Sequence, residues 1–107
     1  MRYVLSDDAK KDLQEIVKYF ILKKDSSVVN NFLDELEESC SRFVRFPKIA
    51  PLVGDKMRVN SKYLGDMRLW AMSGFKKYVI FYVIEKSEVV IIRIIHSKRN
   101  IAIQFDN

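Results

Sequence analysis

The stretch 67-MRLWAMSGFKKYVIFYVIEKSEVVIIRIIH-96 decides the fold. Its apolar residues recur with a period near two, and two short polar breaks divide it. The pattern predicts strands over Met67–Met72, Tyr78–Glu85 and Val89–His96. Ser73-Gly74 opens the first connection and Lys86-Ser87 makes the second. Links this tight make consecutive strands antiparallel neighbours. One face of such a sheet has to be covered by something else in the chain.

The residues that cover it lie upstream. Leu13, Ile16, Val17 and Phe20 recur at helical spacing, preceded by Ser6 as an N-cap and by Asp7 and Asp8 in the first turn. This helix is expected to end near Lys24. Asp25, Ser26 and Ser27 form a break and a second cap. Val29, Phe32, Leu33, Leu36, Cys40 and Phe43 then continue at steps of three and four until Pro47 stops the helix. The short link predicts an antiparallel helical hairpin. Met1–Leu5 reads as a further strand; if it pairs into the sheet, its partner is a strand distant in sequence. From Pro47 to Tyr63 the pattern is that of a loop with one short helical turn, and Lys98–Asn107 is a short tail with room for another. The expected architecture is α+β, in the order β-α-α-β-β-β, with the hairpin packed on one face of a small curved antiparallel sheet.

With 107 residues, 49% hydrophobic and 31% charged, the chain is expected to form one domain over 1–107, too apolar to be disordered. The longest apolar run, Tyr78–Ile84, is far short of the roughly 18 residues of a membrane span, and charges crowd the positions where a secretory core would lie. The expected setting is cytoplasmic, with no membrane partner. A single cysteine, Cys40, excludes an internal disulfide and a cysteine-based zinc site. No metal or cofactor is expected.

Charge is unevenly placed. Residues 1–54 carry equal numbers of basic and acidic groups, so the whole net charge of +5 falls after residue 54. Such an excess suits an anionic partner, a nucleic acid or an acidic protein segment; it also suits plain solubility. His96, the only histidine, ends the last strand on the same alternating face as Val90, Ile92 and Ile94. It is read either as a structural residue facing the core or as a general base in need of an orienting partner. Arg68 and Arg93 stand among apolar strand residues, Arg93 on the face of Val89, Ile91 and Ile95. Each is either an anion clamp or a stem lying across the sheet. Trp70, Phe75, Tyr78, Phe81 and Tyr82 beside Lys76 and Lys77 suit either base stacking or packing. Packing is the better reading for Phe81.

Three stretches resemble the RelE/ParE superfamily of toxins from type II toxin–antitoxin pairs. They are Ser6-x-x-Ala9-x-x-Asp12-Leu13-x-x-Ile16-x-x-Tyr19, then Met67-Arg68-Leu69-Trp70 through Gly74-Phe75-x-x-Tyr78-Val79-Ile80-Phe81-Tyr82, and Arg93-Ile94-Ile95-His96-Ser97-Lys98-Arg99-Asn100-Ile101. The resemblance implies a toxin neutralised by a cognate antitoxin with an acidic segment. RelE-like members cut mRNA on the ribosome, whereas ParE-like members inhibit DNA gyrase. Tyr78 is followed by Val79 where RelE-like enzymes carry an arginine, and the tail offers Phe105 in place of their tyrosine. The closing segment is more similar to the ParE-like branch, which implies a gyrase inhibitor rather than an enzyme. A ribosome-dependent endoribonuclease, with His96, Arg68 and Arg99 as its candidate catalytic groups, is the alternative; a non-toxic antitoxin-binding relative is the third reading. Under the preferred one, Lys98, Arg99 and Arg93 are expected to contact the target. Leu13, Val17 and Phe20, where they are not fully covered, are expected to bind the antitoxin, with Arg68 and Arg93 as its charge partners.

Overall fold

A computed structural model describes residues 1–53 and 66–97. The elements run β1 (Arg2–Leu5), α1 (Asp7–Lys23), α2 (Ser26–Arg45), β2 (Arg68–Met72), β3 (Phe75–Glu85) and β4 (Glu88–His96). This is the expected order. The loop positions beyond residue 53 and the tail Lys98–Asn107 lie outside the described residues.

The sheet order is β1-β4-β3-β2. The distant partner of β1 is β4, which it joins in parallel, Arg2 opposite Glu88 through Leu5 opposite Ile91. The other two pairings are antiparallel. β3 begins at Phe75, three residues earlier than the alternation predicts, because Ser73-Gly74 alone makes the turn. Gly74 takes φ +74°, where a side chain is strained. Lys86 and Ser87 also have positive φ, 47° and 65°, the handedness that suits a two-residue hairpin turn.

Ser6 joins the first strand to the first helix. Its backbone N–H donates to the Ile91 carbonyl at 2.9 Å and its hydroxyl to the Ile92 carbonyl at 2.8 Å. The same oxygen accepts from the Ala9 N–H at 3.1 Å, capping α1. Asp25 caps α2 through the N–H groups of Ser27 and Val28. These bonds hold its carboxyl below the usual range, the Ser27 hydroxyl contributing most.

β1 ends at Leu5, so β4 loses its strand neighbour beyond Ile91. Asp12 of α1 fills that place. One of its carboxylate oxygens accepts from the Ile94 N–H at 3.0 Å and from Arg93 Nε at 2.7 Å; the other accepts from Arg93 Nη2 at 2.8 Å. Both side chains are largely buried, 10% and 15% exposed. The bonds to Asp12 raise the Arg93 pKa, with Asp8 and Glu15 adding to them, while burial opposes.

β4 is bulged. Phe81 pairs with Arg93 and Tyr82 with Ile91, so Ile92 has no partner across the hairpin. Simple alternation therefore fails there. Ile94 belongs with Val89 and Ile91 in the core beneath the helices, while Val90, Ile92 and Ile95 belong to the cluster that includes Phe81. The expected grouping of His96 with Val90 and Ile92, and of Arg93 with Val89 and Ile91, is corrected by that extra residue, while His96 keeps the face of Ile94 and Arg93 that of Ile95.

The helix-side core is aromatic. Phe20, Phe32, Phe75 and Tyr78 meet mostly edge to face, and Phe43 stacks on Tyr82 at 4.1 Å. Such pairs contribute beyond their buried area, by about 0.5–1.5 kcal/mol each. Cys40 lies in this core with no exposed surface, and burial, with a smaller effect of Glu37, pushes its thiol up to about 12.

Removing the Asp12 carboxylate leaves a buried guanidinium and a strand N–H without their acceptor. Asp12→Ala is expected to lower unfolding free energy by about 3 kcal/mol, measured by urea denaturation. Cys40 sets a pH dependence. Its folded pKa is raised, so its contribution is complete below the unfolded value of 9.0 and is lost as pH rises from there through about 12. Stability should fall over that window, and less steeply in Cys40→Ala; parallel slopes for the two proteins would contradict this.

Candidate functional site

α1 carries more apolar residues than one stripe can bury. Ala9, Ile16 and Phe20 face the sheet and are buried. Leu13 and Val17 lie beside them, half-buried, and border an open groove. Ile21 and Leu22 complete the groove from α1, and Leu33 reaches it from α2. These three are 61%, 69% and 37% exposed. The groove has a volume of about 490 Å³, with Gln14 and Lys18 as its polar border. A contiguous apolar surface of this kind marks an interaction site.

Of the residues expected to bind an antitoxin where they are not fully covered, Leu13 and Val17 border this groove. Phe20, 5% exposed, belongs to the core against Phe32 and Tyr78. Ile21 and Leu22 were missed. The signal was the unbroken run Phe20-Ile21-Leu22, too wide for one buried stripe.

Neither arginine assigned to the antitoxin borders the groove. Arg93 is held by Asp12. Arg68 donates to the carbonyls of Ala50, at 2.7 Å, and Lys48, at 3.4 Å. It latches the segment after α2 to the start of β2. Tyr82 assists, donating its hydroxyl to the Pro47 carbonyl at 2.8 Å. Burial raises the Tyr82 pKa, against the opposing effects of the Ala50 N–H and Arg68.

His96 does not point into a closed core. It is half-buried in a pocket of about 260 Å³ between α1 and β4, with Asp12, Glu15, Tyr19 and Tyr78. Its ring meets Tyr78 edge-on, with centroids 5.0 Å apart. Arg68 is elsewhere. His96 pairs with Tyr78 and Arg68 with Tyr82, on opposite sides of β3 and four residues apart along it. That offset is about 13 Å. The two candidate catalytic groups therefore do not converge on one phosphate. Arg99, the third, lies outside the described residues, as does Lys98.

The sheet aromatics serve packing. Phe81 is fully buried, and Trp70 meets Phe43 edge-on, with the Arg42 guanidinium 5.8 Å from its ring centroid. Among the described residues, no three His, Cys, Asp or Glu side chains come together as a metal site, and no helix is long and apolar enough to cross a membrane.

A helical hairpin on one face of a four-stranded sheet, with an apolar groove along the hairpin and with Arg68 and Arg93 engaged internally, defines a small α+β protein built around a binding surface. A family model described as the ParE toxin of the type II toxin–antitoxin system parDE matches residues 3–101, and the chain belongs to that family. Its fold is similar to a chain in the solved structure of the chromosomal ParDE TA system from P. aeruginosa, with a TM-score of 0.70 and 13% identity, covering 92% of this chain and 97% of that one. A search of curated proteins found no match.

The division between core and groove is open to measurement. Phe20→Ala should cost about 3–5 kcal/mol in unfolding free energy. Leu22→Ser should change it by no more than about 0.5 kcal/mol. Similar losses for both would contradict the assignment of Leu22 to an open surface.

Proposed function

We propose that this toxin acts in the cytoplasm by binding DNA gyrase, without catalysing a reaction, and that an antitoxin neutralises it through the hairpin groove. The observation that carries the reading is the ParE family match over residues 3–101. Physical features support each half of it.

The antitoxin half rests on the groove. An acidic, amphipathic segment presents apolar residues at i, i+3, i+4 and i+7, which suits a groove formed by Leu13, Val17, Ile21, Leu22 and Leu33. Lys18 on its border gives such a segment a charge partner. That charge acts mainly on association rate, whereas the apolar anchors set the dissociation rate. A segment disordered when free would order on this surface.

The target half rests on charge. All of the net +5 follows residue 54. Gyrase engaged with DNA presents phosphates and acidic protein surface, and both favour Arg and Lys. Lys98 and Arg99 are the proposed contacts. Arg93 is replaced in that role by its pairing with Asp12.

The test is supercoiling by purified gyrase. The protein should inhibit at low molar excess, and Lys98→Ala with Arg99→Ala should raise the concentration required at least tenfold. A cognate antitoxin with an acidic segment should restore supercoiling, and Leu22→Asp should weaken that rescue at least tenfold without affecting inhibition. Folded protein with no effect at large molar excess, together with cleavage of ribosome-bound mRNA, would favour the ribonuclease instead.

A further inference from the structure

We propose that the protein has a second docking face, at the C-terminal end of α2, that takes an acidic amphipathic segment of a partner protein. Three large apolar side chains stand exposed there: Met1 at 57%, Phe46 at 59% and Ile49 at 42%. They border two adjoining grooves of about 480 and 630 Å³, which share Met1 and Arg45. Ile84 of β3 contributes to the first groove.

The backbone explains why these side chains face outward. The Phe46 N–H donates to the Arg42 carbonyl at 2.8 Å, ending α2, and the Ile49 N–H donates to the Phe46 carbonyl at 3.0 Å, closing a turn. Tyr82 and Arg68 hold the carbonyls of Pro47, Lys48 and Ala50 from the sheet side. The chain is thereby tied down on its inner side. Phe46 and Ile49 are held in water by a fixed loop, so a partner binding them does not have to order that loop.

Charge selects the partner. Arg45 and Lys48 flank the apolar side chains, and neither side chain makes an ion pair among the described residues. Among the described residues no carboxylate borders either groove; Arg2, on the second, pairs with Glu88 outside it. Two copies of this chain meeting here would bring like charges together, which disfavours self-association. A nucleic acid would satisfy the cations and leave Met1, Phe46 and Ile49 in water. An anionic membrane matches the charge as well, but these apolar residues border two shallow, adjoining grooves with the fixed Pro47–Ala50 carbonyl loop behind them, a relief that suits inserted anchors of a segment better than a planar bilayer. An acidic segment with apolar anchors satisfies all three features.

The face is separate from the hairpin groove. Leu33 and Phe46 are thirteen residues apart along α2 and its cap, about 20 Å. Both surfaces can be occupied together, and this inference does not depend on the antitoxin reading.

The experiment is an NMR titration of the 15N-labelled full chain with an 18-residue Glu/Leu peptide, its leucines at i, i+3, i+4 and i+7. A scrambled peptide of the same composition and vesicles containing phosphatidylserine are run in parallel. The largest amide shifts should fall at Arg45, Phe46, Lys48, Ile49 and Ile84. Arg45→Glu with Lys48→Glu should weaken binding at this site at least tenfold, Phe46→Ser should do the same, and Leu22→Asp should not affect it. Unchanged thermal midpoints establish that the variants are folded. No binding at millimolar peptide, shifts confined to Leu13–Leu33, equal binding of the scrambled peptide, or binding to vesicles but not to peptide would each overturn the proposal.

Discussion

The Asp12 carboxylate sets the frame of the molecule. β1 is only four residues long and leaves β4 uncovered beyond Ile91, where a strand N–H and Arg93 both need an acceptor. Asp12 meets both from α1 and ties the helix to the edge that the strand abandons. Burying two charges is costly, and an ion pair of this kind is weak evidence for net stability. Its geometric consequence is definite, because three bonds from one carboxylate fix where α1 lies against β4. With α1 placed, Ile16 and Phe20 face the sheet, Leu13 and Val17 turn toward the groove, and Glu15 and Tyr19 border the His96 pocket.

Much of the fold was legible because it depends on local periods. The alternation after Met67, the helical spacing before Pro47 and the caps at Ser6 and Asp25 gave the element order. That the first strand, if it joined the sheet, needed a distant partner followed from the lack of any near neighbour; that it does join, beside β4, comes from the structure. What escaped notice was set by single insertions and distant contacts. One unpartnered residue, Ile92, reverses the alternation for the rest of β4, and it looks like any other isoleucine in an apolar run. Arg93 reads as a surface cation until its partner, 81 positions upstream, is known.

The candidate site was less legible for a related reason. A helix period identifies an apolar stripe but not its width or which of its members stay accessible, so Phe20 counted both as core and as a candidate contact, while Ile21 and Leu22 were overlooked. Arg68 resembled a ligand contact because its actual partners are backbone carbonyls, which leave no trace in sequence. The remaining features point to surfaces rather than to a reaction centre. Of the side chains proposed for catalysis, Arg68 is engaged by backbone carbonyls and lies apart from His96, while exposed apolar groups gather at two places, along α1 of the hairpin and at the C-terminal end of α2. A protein that acts by occupying other proteins needs such faces, held by a stiff aromatic core.

Gyrase binding, rather than RNA cleavage, is the central claim. It is tested most directly by a brief pulse of expression in bacteria, with plasmid topology and incorporation of labelled methionine followed minute by minute in the same culture. The account predicts that negative supercoiling is lost first, while incorporation continues. Incorporation that stops first, on plasmids still fully supercoiled and with mRNA cut within codons, would contradict it.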